Sequence, residues 1–257
     1  MRRIMLRISY DGTDFCGWQL QDNEVTVESE LNKALSAITG EEIRVIGASR
    51  TDSGVHAEGA VCVFDTDSRI PAEKFRYAVN TGLPDTIRVW ESVEVEDTFH
   101  PRHCDSEKTY EYHIWNNDFD NPLVSRYAHF IYRKMDVEAM DRAAQYLLGE
   151  HDFKSFCSPK ADVLTTVREI TAISVRRDDR DERNVTIRVS GKGFLYNMVR
   201  IIAGTLIEVG TGLRTVESVK DTLEACNREA AGPTAPAKGL VLKGIVFKNA
   251  FKCEENR

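Results

Sequence analysis

Hydrophobic and polar positions along this chain repeat in a way that predicts two halves of similar rhythm. In the first, MLRISY (residues 5–10) alternates at the two-residue period of a strand. TVESELNKALSAITG then sets Val27, Leu31, Ala34, Leu35 and Ile38 at helical spacing, with Thr26 as N-cap and Gly40 as stop. IRVIG (43–47), GAVCVFDT (59–66) and IRVWESVEV (87–95) read as strands, and PAEKFRYAVNTG as a helix with Pro71 at its start. In the second half SEKTYEYHIW (106–115) is a strand, and DVEAMDRAAQYLLG is a helix capped by Asp136 and ended by Gly149. VREITAISVRR and NVTIRVSGKG are strands joined by the charged turn DDRDE. A helix is expected from about Phe194 to Glu208, a short one from Thr215, and GLVLKGIVF (239–247) closes as a strand. YDGTDFCGWQ and GEHDFKSFC have loop composition, with aromatics that pin them.

Strand–helix–strand–strand–helix–strand twice over is an α+β pattern: two ferredoxin-like halves, each a mainly antiparallel sheet with helices on one face. The boundary is expected near residues 98–106, giving 1–100 and 101–257. No low-complexity linker marks it, so the halves are expected to share an interface that forms a cleft.

Composition narrows the class. The chain of 257 residues has a formal net charge of −7, which argues mildly against nucleic acid as partner. RYAHFIYRK (126–134) and RVSGKGFLYNMVR (188–200) nevertheless each hold three cations and no acid, so a basic cleft on an acidic protein is open. No apolar run is long enough to span a membrane. MRRIMLRISYDG has no apolar signal core, which points to a cytoplasmic protein. Cys16, Cys62, Cys104, Cys157, Cys226 and Cys253 are scattered, without zinc-ligand spacing, and are expected to be reduced thiols.

Three stretches carry candidate chemistry. In ASRTDSGVHAEG (48–59), Arg50 and Asp52 stand two apart, so on extended backbone they face the same way. A cation beside a carboxylate keeps it ionised. That is unsuited to an aspartic protease, whose two aspartates share a proton, but suited to a nucleophile or base at an electrophilic carbon. The plainer reading is a surface Arg–Asp pair beside a turn at Gly54. In FLYNMVRIIAGTLIEVG the helix is apolar almost all round, yet Arg200 sits among Met198, Val199, Ile201 and Ile202. Such a guanidinium must be paired or reach a polar cleft, with Asp52 as a natural candidate, or else snorkel to solvent. In SEKTYEYHI, Lys108, Tyr110, Tyr112 and Ile114 share one strand face. Those tyrosines serve either as a stacking platform for an unstacked base or as core.

Across nearly its whole length the chain resembles the tRNA pseudouridine synthase A family. The family's G-A-G-R-T-D-A-G-V-H-A appears as GASRTDSGVHA (47–57), and its Y-D-G-T-x-F-x-G-W-Q as YDGTDFCGWQ (10–19). FHPRHCDSEKTYEY, HDFKSF, GFLYNMVRIIAGTL and PAKGLVL follow in family order. Departures are Ser49 for Gly, Ser53 for Ala, Pro101 for Ala, His103 for Phe and Lys108 for Arg; the last puts any bidentate contact there in doubt.

The resemblance implies isomerisation of uridine to pseudouridine at positions 38 to 40 of the tRNA anticodon arm, by a homodimer with a basic cleft and without metal or small-molecule cofactor. It implies Asp52 as the residue that starts the chemistry and Arg200 as the cation holding its carboxylate. Tyr110 would stack on or hydrogen-bond the flipped uracil, Arg50 would contact backbone phosphate or help extrude the base, and Leu240 would wall the uracil pocket. Two other classes compete: a noncatalytic RNA-binding module and an aspartate-dependent hydrolase.

Overall fold

The computed structural model describes residues 1–159 and 163–248, and these divide into two compact units. One comprises residues 1–107 together with the chain from Leu242 onward, the other Lys108–Val241.

The first unit opens with β1 (Arg2–Tyr10), followed by α1 (Val27–Thr39). α1 begins and ends as the residue types dictate. Thr26 Oγ1 accepts from Ser29 N at 3.1 Å, and Ser29 Oγ accepts from Thr26 N at 3.0 Å, which satisfies two of the donors that every helix start exposes. Gly40 closes it in the left-handed region. Then come β2 (Ile46–Gly47), β3 (His56–Thr66), α2 (Phe75–Val79) and β4 (Ile87–Val95). β1 is central, antiparallel to both β3 and β4, with Leu6 opposite Cys62 on one side and Ser92 on the other. Ala60, Val61, Cys62, Val63 and Phe64 are all buried, as in a strand covered on both faces. β4 is the outer strand of the path, and Asn80 caps it by bonding both N and O of Val89.

The expected strand IRVIG is only the two residues of β2. Side chains of α1 take its other donors instead: Ser36 Oγ accepts from Ile43 N, and Asn32 Oδ1 from Val45 N.

The second unit is built on β5 (Ser106–Asn116), β6 (His129–Ile131), α3 (Val137–Ala144), β7 (Gly149–Asp152), β8 (Val167–Arg177) and β9 (Asn184–Gly191). Their order is β5-β9-β8-β7, all antiparallel, with β6 parallel to β5 at Ile114–Asn116. α4 (Met198–Gly210) packs against α3, and α5 (Ser218–Glu224) follows.

Three sequence expectations change here, and one strand appears for which there was none. Gly149 does not stop a helix: α3 ends at Ala144, and Gly149 opens β7, so GEHD is a strand rather than a loop. HFI within the basic stretch is a strand too, β6. α4 starts four residues later than expected, because Asn197 takes a left-handed φ of 61° that a helix interior does not allow.

The last strand, β10 (Leu240–Phe247), neighbours β3 and carries the chain back to the first unit. There Lys248 N donates to Asp105 O at 2.9 Å, and Phe247 meets Phe99 edge to face. A division at one point of the chain, 1–100 against 101–257, has no means of expressing this return.

Candidate active site

Asp52 lies on the connection from β2 to β3, and that connection is fastened at nearly every residue. Thr51 is buried, its hydroxyl 2.8 Å from the Tyr10 hydroxyl and its carbonyl accepting from Trp18 N at 3.0 Å. Val55 N returns to Asp52 O at 3.1 Å, closing a turn over Ser53 and Gly54. Phe15 O accepts from both Ser53 Oγ (3.2 Å) and Gly54 N (3.4 Å).

The fastening segment is YDGTDFCGW. Phe15 and Trp18 are buried and pin it, as expected, but its glycines decide the approach. A Cβ on Gly17, whose φ is +89°, would lie 2.7 Å from Thr51 O and 3.2 Å from Asp52 C. A Cβ on Gly12 would lie 2.0 Å from Val55 O. Gly12 N donates to Nδ1 of the buried His56 at 3.0 Å, and Asp11 Oδ1 lies 3.1 Å from the same ring nitrogen. Backbone therefore packs directly on backbone around Asp52, and the carboxylate stands on a rigid loop whose residue is half-buried.

Tyr110 stands on β5 opposite Val189, only 6 % exposed, and meets Phe194 edge to face at 5.2 Å. Tyr112 and Ile114 on the same face are buried as well, so this row is core along most of its length. Tyr112 donates to Pro236 O at 2.9 Å, and burial pushes its phenol far above the usual tyrosine range.

Arg200 lies in the first turn of α4 and is half-buried. Its Nε donates to Ala235 O at 2.8 Å and its Nη1 to Asn197 Oδ1 at 2.9 Å, while its own carbonyl accepts from Ala235 N. These bonds to Ala235 and Asn197 hold the side chain rather than leaving it extended into solvent. Arg200→Ala strips at least these two bonds and should lower unfolding stability by roughly 2–3 kcal/mol, read by urea denaturation. Leu240 is buried at the start of β10. Asp52 and Arg50 belong to the first unit; Tyr110, Arg200 and Leu240 belong to the second.

The two basic stretches differ from their sequence appearance. Arg188 pairs with Glu111 at 2.7 Å and Lys192 with Glu169 at 2.6 Å, so RVSGKGFLYNMVR is largely neutralised by acids from neighbouring strands. In RYAHFIYRK, Arg133 instead stacks over Tyr132. Among the described residues, Arg50, Arg69, Lys74 and Arg76 make no ion pair. No group of three or more His, Cys, Asp or Glu that could hold a metal occurs among them either. Five cysteines are free thiols, with Cys62 and Cys157 pushed up by burial; Cys253 lies outside the described residues. No helix among the described residues is long and apolar enough to cross a membrane.

The profile of the tRNA pseudouridine synthase family matches residues 7–103 and 143–248, spanning the Asp52 loop, α4 and β10. The chain belongs to that family. Curated relatives named tRNA pseudouridine synthase A are similar nearly end to end. That of Brevibacillus brevis is 49% identical over 96% of this chain and 100% of its own length. That of Acetivibrio thermocellus is 45% identical with the same coverage, and that of Halalkalibacterium halodurans 46% identical over 100% of this chain and 97% of its own. Among solved structures, the archaeal box H/ACA sRNP Nop10–Cbf5 complex shares 12% identity over 89% of this chain and 60% of that one, with a TM-score of 0.33.

The functional residues that sequence reading left unassigned are the fasteners: Tyr10, Gly12, Gly17 and His56. Their signal was present in YDGTDFCGWQ and in the His that follows the Asp motif, but only a close approach in space gives it meaning.

Proposed function

We propose that this protein isomerises uridine to pseudouridine in tRNA, at positions 38 to 40 of the anticodon arm. The observation that carries the reading is Asp52 on a rigid, glycine-packed loop, in a chain whose near-full-length relatives are named tRNA pseudouridine synthase A. In the reaction the C1′–N1 bond breaks, the uracil turns, C1′ joins C5, and the C5 proton is lost while N1 gains one. Substrate and product have the same atoms and the same oxidation level, so the balance calls for an acid–base or nucleophilic group and no redox partner.

Asp52 starts this chemistry by attack on ribose C1′, by attack on uracil C6, or by removal of a ribose proton. Arg200 is assigned the cation that keeps the carboxylate ionised. Tyr110 contacts the extruded base, Leu240 packs on it, and Arg50 contacts the backbone phosphate or helps expel the base from its stack. The working form is a cytoplasmic homodimer at micromolar concentration, with one tRNA touching both subunits.

Release of tritium from C5-labelled uridine in tRNA tests the reading. Release dependent on this protein supports it; tRNA binding without release makes the protein a noncatalytic RNA binder. Tyr110→Phe separates chemistry from binding. If its hydroxyl takes part in proton transfer at C5, turnover falls by roughly 10²–10⁴-fold while tRNA affinity stays near wild type. Equal losses in turnover and affinity would leave Tyr110 as a packing residue.

A further inference from the structure

Arg102 belongs to a turn in which His103 N bonds His100 O at 3.0 Å, and the residue is exposed. Its Nε donates to Gly47 O at 2.8 Å. That bond fixes the guanidinium on the stretch of backbone that reaches Arg50 three residues later. The Arg102 pKa is held below its usual value, first by partial burial of the guanidinium and then by the charge of Arg50. Among the described residues, the Nη groups of Arg102 have no acceptor, and Arg50 has neither hydrogen bond nor ion pair. The charge of Glu28 opposes that lowering more weakly, and its carboxylate already accepts from Leu20 N at 3.0 Å.

Two like charges held together without a counter-charge oppose folding, and folds keep such conflicts chiefly where a ligand resolves them. The ligand must be an anion, and two guanidinium forks match the oxygens of a phosphate. Arg50 is two residues from Asp52, so the anion sits near the proposed reaction centre. We propose that Arg50 and Arg102 together form a site for one backbone phosphodiester of the RNA substrate. The site sits beside the Asp52 loop and anchors the strand that carries the target nucleotide. It rests on the reading of the protein as a tRNA-modifying enzyme, and adds Arg102 to the residues that hold the substrate.

The test measures binding of an anticodon-arm stem-loop RNA by wild type, Arg102→Gln, Arg102→Lys, Arg50→Gln and the double glutamine variant, from about 50 to 200 mM salt. Arg102→Gln should weaken binding about tenfold at low salt. In the double variant, which leaves that phosphate without either cation, the slope of log affinity against log salt should fall by roughly 0.7–0.9, the loss of one phosphate contact, and in Arg102→Gln by less. Arg102→Lys, which keeps the charge, should retain the slope. The double variant should lose less than the sum of the two single losses, because both groups act on one phosphate. A salt slope in the double variant no lower than in Arg50→Gln overturns the site, since a purely structural hold of Arg102 on Gly47 would not alter counterion release. Additive losses in the double variant overturn it too. Tritium release keeps the two readings apart. If wild type releases tritium but the slope does not change, the site fails alone. If the slope changes without any release, the site stands and the enzymatic reading fails.

Discussion

Asp52→Asn should abolish pseudouridine formation, lowering tritium release at saturating tRNA by at least about a thousandfold, or roughly 4 kcal/mol of barrier. Asparagine has the same size and shape, and the loop around it is fastened through other groups: the Thr51 hydroxyl and carbonyl, Ser53 Oγ, Gly54 N and the Val55 amide. The fold and tRNA affinity should therefore persist, the first read by urea denaturation and the second by equilibrium binding. What is lost is the negative charge, and each of the three routes open to Asp52 needs it, as nucleophile or as base. Turnover within about tenfold of wild type, a change of only roughly 1.4 kcal/mol, would sink the assignment of Asp52 as the initiating group. Lost turnover with lost stability would instead show that the carboxylate holds the loop.

The parts of the fold that were legible in the sequence are those whose causes are local. α1 starts at Thr26 and stops at Gly40 because a hydroxyl cap and a left-handed glycine act within one turn of the residues that reveal them. β1, β4, β8 and β9 were readable from apolar residues recurring about every second position, and β3 from its apolar run Ala60–Phe64. β6 and β7 are short strands that exist through partners, β5 at Ile114–Asn116 and β8 at Val167–Ile170, so nothing inside HFI or GEHD announces them. Asn197 delays α4 because its side chain is committed elsewhere, donating to Ser158 and accepting from Arg200. The basic look of RVSGKGFLYNMVR dissolved for the same reason, since Glu111 and Glu169 reach it across strands.

The candidate site divides along the same line. Asp52, Arg50, Tyr110, Arg200 and Leu240 could be picked from motifs, because motifs preserve residue type. The means by which Asp52 is held could not, because it depends on glycines whose value is the absence of a side chain against a distant carbonyl. Nothing in YDGT says that Gly12 will meet Val55.

That contact makes Gly12→Ala the most informative structural substitution. Its Cβ would lie 2.0 Å from Val55 O and 2.6 Å from Val55 C, both backbone atoms with no rotamer by which to yield. Either the segment from Tyr10 to Trp18 lifts, or Val55 and the turn that holds Asp52 move. In both cases the Gly12 N to His56 Nδ1 bond is strained. Overpacking of this kind costs about 1–3 kcal/mol of stability. Displacement of the Asp52 loop by roughly 1 Å should lower turnover about a hundredfold in protein that is still folded. Gly40→Ala supplies the control. Gly40 is also left-handed, with φ of 75°, but nothing lies within 4 Å of its Cβ position, so it should cost about 1–2 kcal/mol and leave turnover of the folded protein intact. The expected result is two variants of similar stability, of which only Gly12→Ala has lost its chemistry. If both retain wild-type turnover per folded molecule, the approach of Gly12 to Val55 does not position Asp52, and the rigidity of the loop has another source.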